Sequence, residues 1–459
     1  MSSTSNVTCA FIDLATNDVL EKSMYGGEKA IAYFVRETKR ATWYTITPVS
    51  LSKANGVPGF LTDWSVSVSR SGDYLMNAWL RVKLPQVTLQ TTNQFGTNGR
   101  IRWTRNFMHN LINECYISFN DVTGARFDSY HLDFWSAFTV PASKMIGYEN
   151  MIGNLSTLIQ PQTTLPERDL NLPLPFFFTR DSGVALPTAS LPYNEIRINF
   201  SFRDWTSLLI LDNTSATGGA QSVVPVVGAN SDIAAAPSLS SVQVWAHYAI
   251  VSSEERALMG ECNCRDILIE QVQTVPKQVY NPISNANPSY DLRLSHNIKV
   301  LFFGVRNTTY KNVWSNYTTA SPTVTANSVV FEPNSAYDPI STVNITYENT
   351  SKFTNVGADY FSLVNPWYFA PSIPPFTGYH MYSYALWFFD VDPTGGTNYG
   401  KLTNVSIQPS ASKSAIAAAN GTGPAGSGAD FVQTFEFILS AVSNNIIRIR
   451  GGTFGFPIL

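Results

Sequence analysis

At 459 residues the chain exceeds the roughly 250 to 300 residues at which single cores stop growing, so at least two domains are expected, each able to bury a full core. Hydrophobic residues at 44% and aromatics at 13% exclude disorder, while charged residues reach only 14%, against about 25% in ordinary globular proteins. With a formal net charge of −3, no block of like charge and no patch more basic than Arg100-Ile-Arg102-Trp-Thr-Arg105, direct nucleic-acid binding is not expected, and a surface poor in charge suits either many copies packing without summed repulsion or a secreted β protein.

The first residues show no cationic start followed by an apolar run, so no secretory signal is expected, and no segment approaches 18 uninterrupted apolar residues. The four cysteines, Cys9, Cys115, Cys262 and Cys264, are too few for a disulfide framework, which points to a reducing compartment, the cytoplasm. Residues Phe11 to Met24 read as an amphipathic helix with Phe11, Leu14, Ala15, Val19 and Leu20 on one stripe. Residues 1–27 are therefore expected to form an N-terminal arm.

From there the dominant signal has period 2. Trp64, Val66 and Val68 alternate with serines; Ile196, Ile198, Phe200 and Phe202 share one face; Val242, Val244, Ala246 and Tyr248 share another; and Val343, Ile345 and Tyr347 alternate with Asn344, Thr346 and Glu348. Each predicts a half-buried strand, and with Gly and Pro as turn punctuation the pattern is that of an all-β sandwich or barrel. Helices are few. Ser253 to Met259 is one, with Ser252 and Glu255 as a capping box and Gly260 as its stop. It falls near the middle of the chain, so the expected division is 28–252, a linker helix at 253–262, and 263–459.

The two sides of that helix repeat one pattern. Ser71 to Val82 matches Ser295 to Arg306 at a separation of 224; Tyr116 to Asp121 matches Asn344 to Asn349 at 228; Pro175-Phe-Phe-Phe178 matches Pro366-Trp-Tyr-Phe369 at 191; Tyr193 to Ile198 matches Tyr379 to Tyr384 at 186; and Val244 matches Glu436 at 192. This predicts a duplication with an insertion of about 37 residues in the first copy between Asp121 and Pro175. The two aromatic triplets are expected to plug one end of equivalent sandwiches. The Gly/Ala/Ser-rich stretch from Ser410 to Gly428 is expected to be an exposed loop.

No catalytic, cofactor-binding or metal-binding residue can be assigned. Gly421-Thr-Gly423-Pro-Ala-Gly426 fits G-x-G-x-x-G literally but lacks the strand, turn and helix that dinucleotide binding requires. Cys262-Asn-Cys264 has no second Cys/His pair at zinc-site spacing and reads as packed, reduced thiols. His109, His131, His247, His296 and His380 are scattered, no G-x-S-x-G or H-E-x-x-H occurs, and Glu254-Glu255 falls on the linker helix rather than in a cleft. The N-x-S/T sequons, including Asn213, Asn307, Asn316, Asn344 and Asn404, read as chance products of an Asn-, Ser- and Thr-rich chain.

Phe11-Ile-Asp-Leu-Ala-Thr, Met24-Tyr-Gly-Gly, Arg70-Ser-Gly-Asp-Tyr, Leu172-Pro-Leu-Pro-Phe-Phe-Phe, Arg180-Asp-Ser-Gly, Leu191-Pro-Tyr-Asn-Glu-Ile-Arg and Gly455-Phe-Pro-Ile-Leu459 occur in that order. Over essentially its whole length the chain resembles the major capsid proteins of iridoviruses, within the nucleocytoplasmic large DNA viruses. The resemblance implies a double jelly roll, two eight-stranded antiparallel sandwiches in tandem. It implies a homotrimer forming a pseudo-hexagonal capsomer, neighbouring capsomers in an icosahedral shell, and minor capsid proteins and an internal viral membrane on the inner side. Location in the virion, after assembly in the host cytoplasm, follows from the same resemblance, with no cofactor and no enzymatic activity. The competing class is a carbohydrate-binding or carbohydrate-cleaving β-sandwich, since jelly rolls serve those roles too.

Overall fold

A computed structural model of the chain describes residues 3–456 apart from 17, 28–30, 32, 35, 37, 39–40, 121, 217–221, 227–230, 262–263, 321–334 and 424–427. It divides into a short unit, Met1–Trp43, and a large one, Tyr44–Leu459. The short unit holds α1 (Ser3–Ala15) and α2 (Val19–Tyr25). The single helix expected over Phe11 to Met24 is thus two. Thr16 turns back on Asp13, and Asp18 caps α2 by accepting from the Leu20 N–H, so the stripe breaks between Ala15 and Val19. Phe11, Leu14, Val19 and Leu20 are all exposed.

In the large unit, eight principal strands come from each side of the chain midpoint. The first set is β1 (Tyr44–Ser50), β2 (Asp63–Ser67), β3 (Tyr74–Leu84), β4 (Ile112–Phe119), β5 (Val122–Asp128), β6 (Arg168–Pro173), β7 (Ile196–Phe202) and β8 (Ser241–Val251). The second is β9 (Cys264–Thr274), β10 (Tyr290–Asp291), β11 (Asn297–Asn307), β12 (Ile340–Tyr347), β13 (Thr350–Gly357), β14 (His380–Ser383), β15 (Val405–Ala411) and β16 (Phe435–Arg450). The first set forms antiparallel sheets in the orders β1-β8-β3-β6 and β2-β7-β4-β5; the second forms β9-β16-β11-β14 and β10-β15-β12-β13. Each strand of the second set takes the place of the strand eight earlier, and the fold is a double jelly roll. The predicted alternation is realised: Ile196, Ile198, Phe200 and Phe202 point into the first core, and Val242, Val244, Ala246 and Tyr248 do the same from β8.

The pairings correct the register of the repeat. Ile117 of β4 pairs with Ile198, and Ile345 of β12 pairs with Ile407, so β7 corresponds to β15 and not to the strand at Tyr379. Likewise β6 corresponds to β14, which leaves Pro175-Phe-Phe-Phe after its strand and Pro366-Trp-Tyr-Phe before its strand. Those two matches were chance. The separation of 224 is also one residue off: β3 skips Met76 against β8, and β11 skips Lys299 against β16. Aligned on these bulges, Trp79 corresponds to Phe302 and Trp245 to Ser440, a separation of 195, so Val244 corresponds to Leu439 and not to Glu436. In a strand a slip of one residue exchanges the faces. The extra length of the first copy is split, about 21 residues between β5 and β6 and about 14 between β7 and β8, instead of forming one insertion.

Further helices decorate this frame: α3 (Ser129–Thr139) and α4 (Ala142–Ile152) between β5 and β6, α5 (Ser253–Glu261) between β8 and β9, α6 (Asn365–Phe369) before β14, and α7 (Lys413–Ala419) after β15. β8 and β9 lie in different sheets, with α5 in the connection; the Glu255 N–H donates to Ser252 Oγ at 3.5 Å, and Arg256 holds Asp73 of the loop before β3 at 2.9 Å. The stretch expected as a loop from Ser410 is in part packed. Ser412 caps α7, and Ala415, Ala418 and Ala419 are buried, because alanine has high helix propensity and permits close approach. The literal glycine motif follows α7 instead of opening a helix, and its Pro424 to Gly426 lie outside the described residues.

Candidate assembly surfaces

The first aromatic triplet is the plug expected of it. Phe176, Phe177 and Phe178 are buried, with Phe176 packed on Phe127 at 5.1 Å and on Phe178 at 5.5 Å between ring centroids. The second is not: Trp367 is 71% exposed and Tyr368 65%. The reason is placement, since Phe176 to Phe178 form a turn against the first core, whereas Trp367 and Tyr368 lie on the outer side of α6.

Helix α3 joins the two rolls. It starts where β5 ends, capped by Asp128, which accepts from the His131 N–H, and it lays Tyr130, Phe134, Ala137 and Phe138 on the outer face of the second roll. That face is Val300 and Phe302 of β11, Met381 of β14, and Ile438 and Val442 of β16, all buried as a result. Phe138 stacks on Phe302 at 5.5 Å and 15°. A sheet with both faces buried is thereby built from two parts of one chain.

Polar networks tie the same junction. Buried Asp133 of α3 accepts from Asn106 Nδ2 at 2.8 Å, Ser315 Oγ at 2.6 Å and Tyr317 OH at 3.0 Å, and lies 2.7 Å from His109 Nδ1. His109 Nε2 in turn meets Tyr148 OH at 2.7 Å. A serine, a histidine and an aspartate thus come together, but Ser315 bonds the carboxylate and not the imidazole, so no base is poised to activate it. Nearby, Glu270 of β9, its side chain 9% exposed, holds Arg180 at 2.9 Å and Lys299 of β11 at 2.8 Å, and the Arg180 guanidinium lies 4.4 Å from each of the Trp135 and Phe389 rings. Arg203 and Arg306 lie 3.9 and 4.0 Å from the ring of Trp314.

The histidines are structural. His131 Nδ1 lies 3.0 Å from Ser440 Oγ, and Nε2 of His380 on β14 lies 2.9 Å from Asp338 Oδ2; His247 on β8 packs against Trp79 at 4.7 Å, and His296 occupies a turn with φ 62°. Burial, with Arg180 adding a smaller push, lowers the His131 imidazole pKa to about 3. The unfolded chain, with histidine near 6.5, therefore binds the extra proton between about pH 6.5 and 3, and stability falls as pH drops through that window. His131→Asn is expected to remove about 2 kcal/mol of the difference in unfolding free energy between pH 7 and pH 5, read from urea midpoints.

The basic stretch is consumed internally. Arg102 forms a buried bidentate pair with Asp212, Arg105 reaches Glu149 at 3.4 Å and covers the Phe376 ring, and Arg100 donates to the carbonyls of Thr97 and Gly99. Among the described residues no group of three or more His, Cys, Asp or Glu could hold a metal. Cys264 is exposed at the head of β9 instead of packed, and Cys262 lies outside the described residues. Asn307 and Asn316 are each 1% exposed, which leaves no room for a glycan on the folded chain.

Residues 32–251 match the family described as the major capsid protein N-terminus, and residues 255–455 match the large eukaryotic DNA virus major capsid protein. The major capsid protein of Invertebrate iridescent virus 6 is 64% identical, covering 100% of this chain and 99% of the relative, and that of Lymphocystis disease virus 1 is 50% identical with 99% of each covered. The chain belongs to the major capsid protein family of large eukaryotic DNA viruses. In fold, it matches the PBCV-1 capsid protein with a TM-score of 0.73 at 18% identity, covering 93% of this chain and 100% of that one. The Faustovirus major capsid protein gives 0.69 at 13%, with 94% of each covered. The capsid protein is a structural component of the virion and not an enzyme, and its chemistry is that of surfaces. The carbohydrate-active alternative finds no support in these relatives.

Proposed function

We propose that this capsid protein acts as a homotrimer whose six jelly rolls form a pseudo-hexagonal capsomer, tiling an icosahedral shell assembled in the host cytoplasm. The observation that carries this reading is the internal repeat: one strand order occurs twice in a chain whose rolls are joined by a large apolar contact, so three copies supply six similar building blocks. The division into an arm (1–27), a first roll (28–252), a linker helix (253–262) and a second roll (263–459) belongs to the same reading, supported by the position of α5. Light scattering on the purified chain is expected to give the mass of three copies. A monomer that binds sugars would overturn the reading.

Contacts with minor capsid proteins and an internal membrane fall on the inner side in this proposal, without direct contact to nucleic acid and without a catalytic, metal or cofactor site. The exposed apolar residues Phe11, Leu14, Val19 and Leu20 need cover, and Asp13, Asp18 and Glu21 disfavour insertion among anionic lipids, which favours a protein neighbour. Deleting residues 1–24 is expected to leave a folded trimer while impairing shell assembly. Loss of the trimer would make the arm part of the fold, and unimpaired shells would make it dispensable.

A further inference from the structure

The repeat pairs an occupied surface with an unoccupied one. In the first roll, α3 follows β5 directly and covers the outer face of sheet β9-β16-β11-β14. In the second roll a helix likewise follows β13 directly, running from Ala358 through a π turn at Tyr360–Val364 into α6. It is one residue longer than α3, the extra residue being absorbed by the π turn, so Trp367 and Tyr368 stand at the places of Ala137 and Phe138. Where Ala137 and Phe138 are buried, Trp367 and Tyr368 are exposed, with Val364 41% exposed one turn earlier.

The receiving surface is unoccupied in the same way. The equivalent of Phe302 is Trp79, which points outward from sheet β1-β8-β3-β6 beside Trp245 at 6.3 Å and His247 at 4.7 Å, all three half-buried. Among the described residues, Phe389 is the one residue of the second half of the chain that lines the space over it, where α3 lies over Phe302. A groove of about 910 Å³ runs there, floored by Trp79, His247 and Pro173 and walled by Trp135, Tyr148 and Met151 of α3 and α4. Such a volume admits two aromatic side chains.

We infer that Trp367 and Tyr368 of one copy insert into the Trp79–His247 groove of the next, so that the contact between copies repeats the contact between rolls, with Tyr368 over Trp79 as Phe138 lies over Phe302. The occupant is a second copy of this chain, because the repeat supplies both halves of the contact on one molecule yet leaves them apart there, with Trp367 and Tyr368 exposed and neither of them lining the groove. Three such contacts close a ring of six rolls. This rests on the trimer reading and assigns its interface.

Two measurements on the full chain test it. Trp367→Ser combined with Tyr368→Ser is expected to lower the light-scattering mass from three copies to one while the monomer retains a cooperative unfolding transition. Trp79→Cys combined with Tyr368→Cys, treated with a short bismaleimide, is expected to yield a linked peptide pair containing both positions and a ladder ending at three chains. The single variants set the baseline for native Cys9 and Cys264. A parent chain that is monomeric overturns the trimer reading itself. A trimeric parent whose double-serine variant stays trimeric, or whose cysteine pair does not link, overturns this interface and leaves the trimer standing.

Discussion

Asp133→Ala is expected to destabilise the capsid protein by about 3–5 kcal/mol, more than any other single truncation at the junction of the rolls. Asp133 is 1% exposed and its two oxygens meet four polar groups, those of Asn106, His109, Ser315 and Tyr317. Removing the carboxylate leaves these groups buried without that acceptor, and each unsatisfied group costs about 1–3 kcal/mol. Ser315→Ala deletes one donor while the acceptor keeps its other partners, so about 1 kcal/mol is expected. Because Ser315 and Tyr317 come from the second half of the chain and Asn106 and His109 from the first, the loss should also loosen the rolls from each other. Urea unfolding with tryptophan fluorescence reads both, since Trp314 and Trp135 flank the junction. A midpoint for Asp133→Ala within error of the parent would refute the hub.

Glu270→Gln is expected to cost a similar amount, for an electrostatic reason. Lys299 is fully buried, and Glu270 balances both it and Arg180. Neutralising the glutamate strands two cations in an apolar setting, and breaking a buried ion pair from one side typically costs about 3–5 kcal/mol. Adding Lys299→Met to Glu270→Gln removes one stranded charge and is expected to recover part of the loss. A double-mutant cycle in urea measures the coupling, and strictly additive effects would show that the two side chains do not act as a pair.

The strands were legible because a sheet with one wet face writes its burial every second residue, as in Ile196 to Phe202. The linker helix was legible from local capping at Ser252 and Glu255. Helix α3 left no such trace: it is buried against its own roll on one side and the second roll on the other, so Tyr130 through Phe134 are apolar or polar without a period. The register of the repeat slipped by one because the bulges at Met76 and Lys299 are backbone events that residue types do not announce. The Asp133 network was out of reach for a different reason, as its members are spread from Asn106 to Tyr317 and meet only through tertiary structure. The exposed pair Trp367 and Tyr368 reads in sequence like any buried aromatic run. Only the fold shows which triplet faces a core and which faces away.

Electron microscopy of the purified chain decides whether one chain carrying two equivalent rolls builds a six-lobed capsomer from three copies. Class averages are expected to show a hexagonal outline with threefold symmetry, and isolated two-lobed particles at concentrations well above those used for imaging would contradict it.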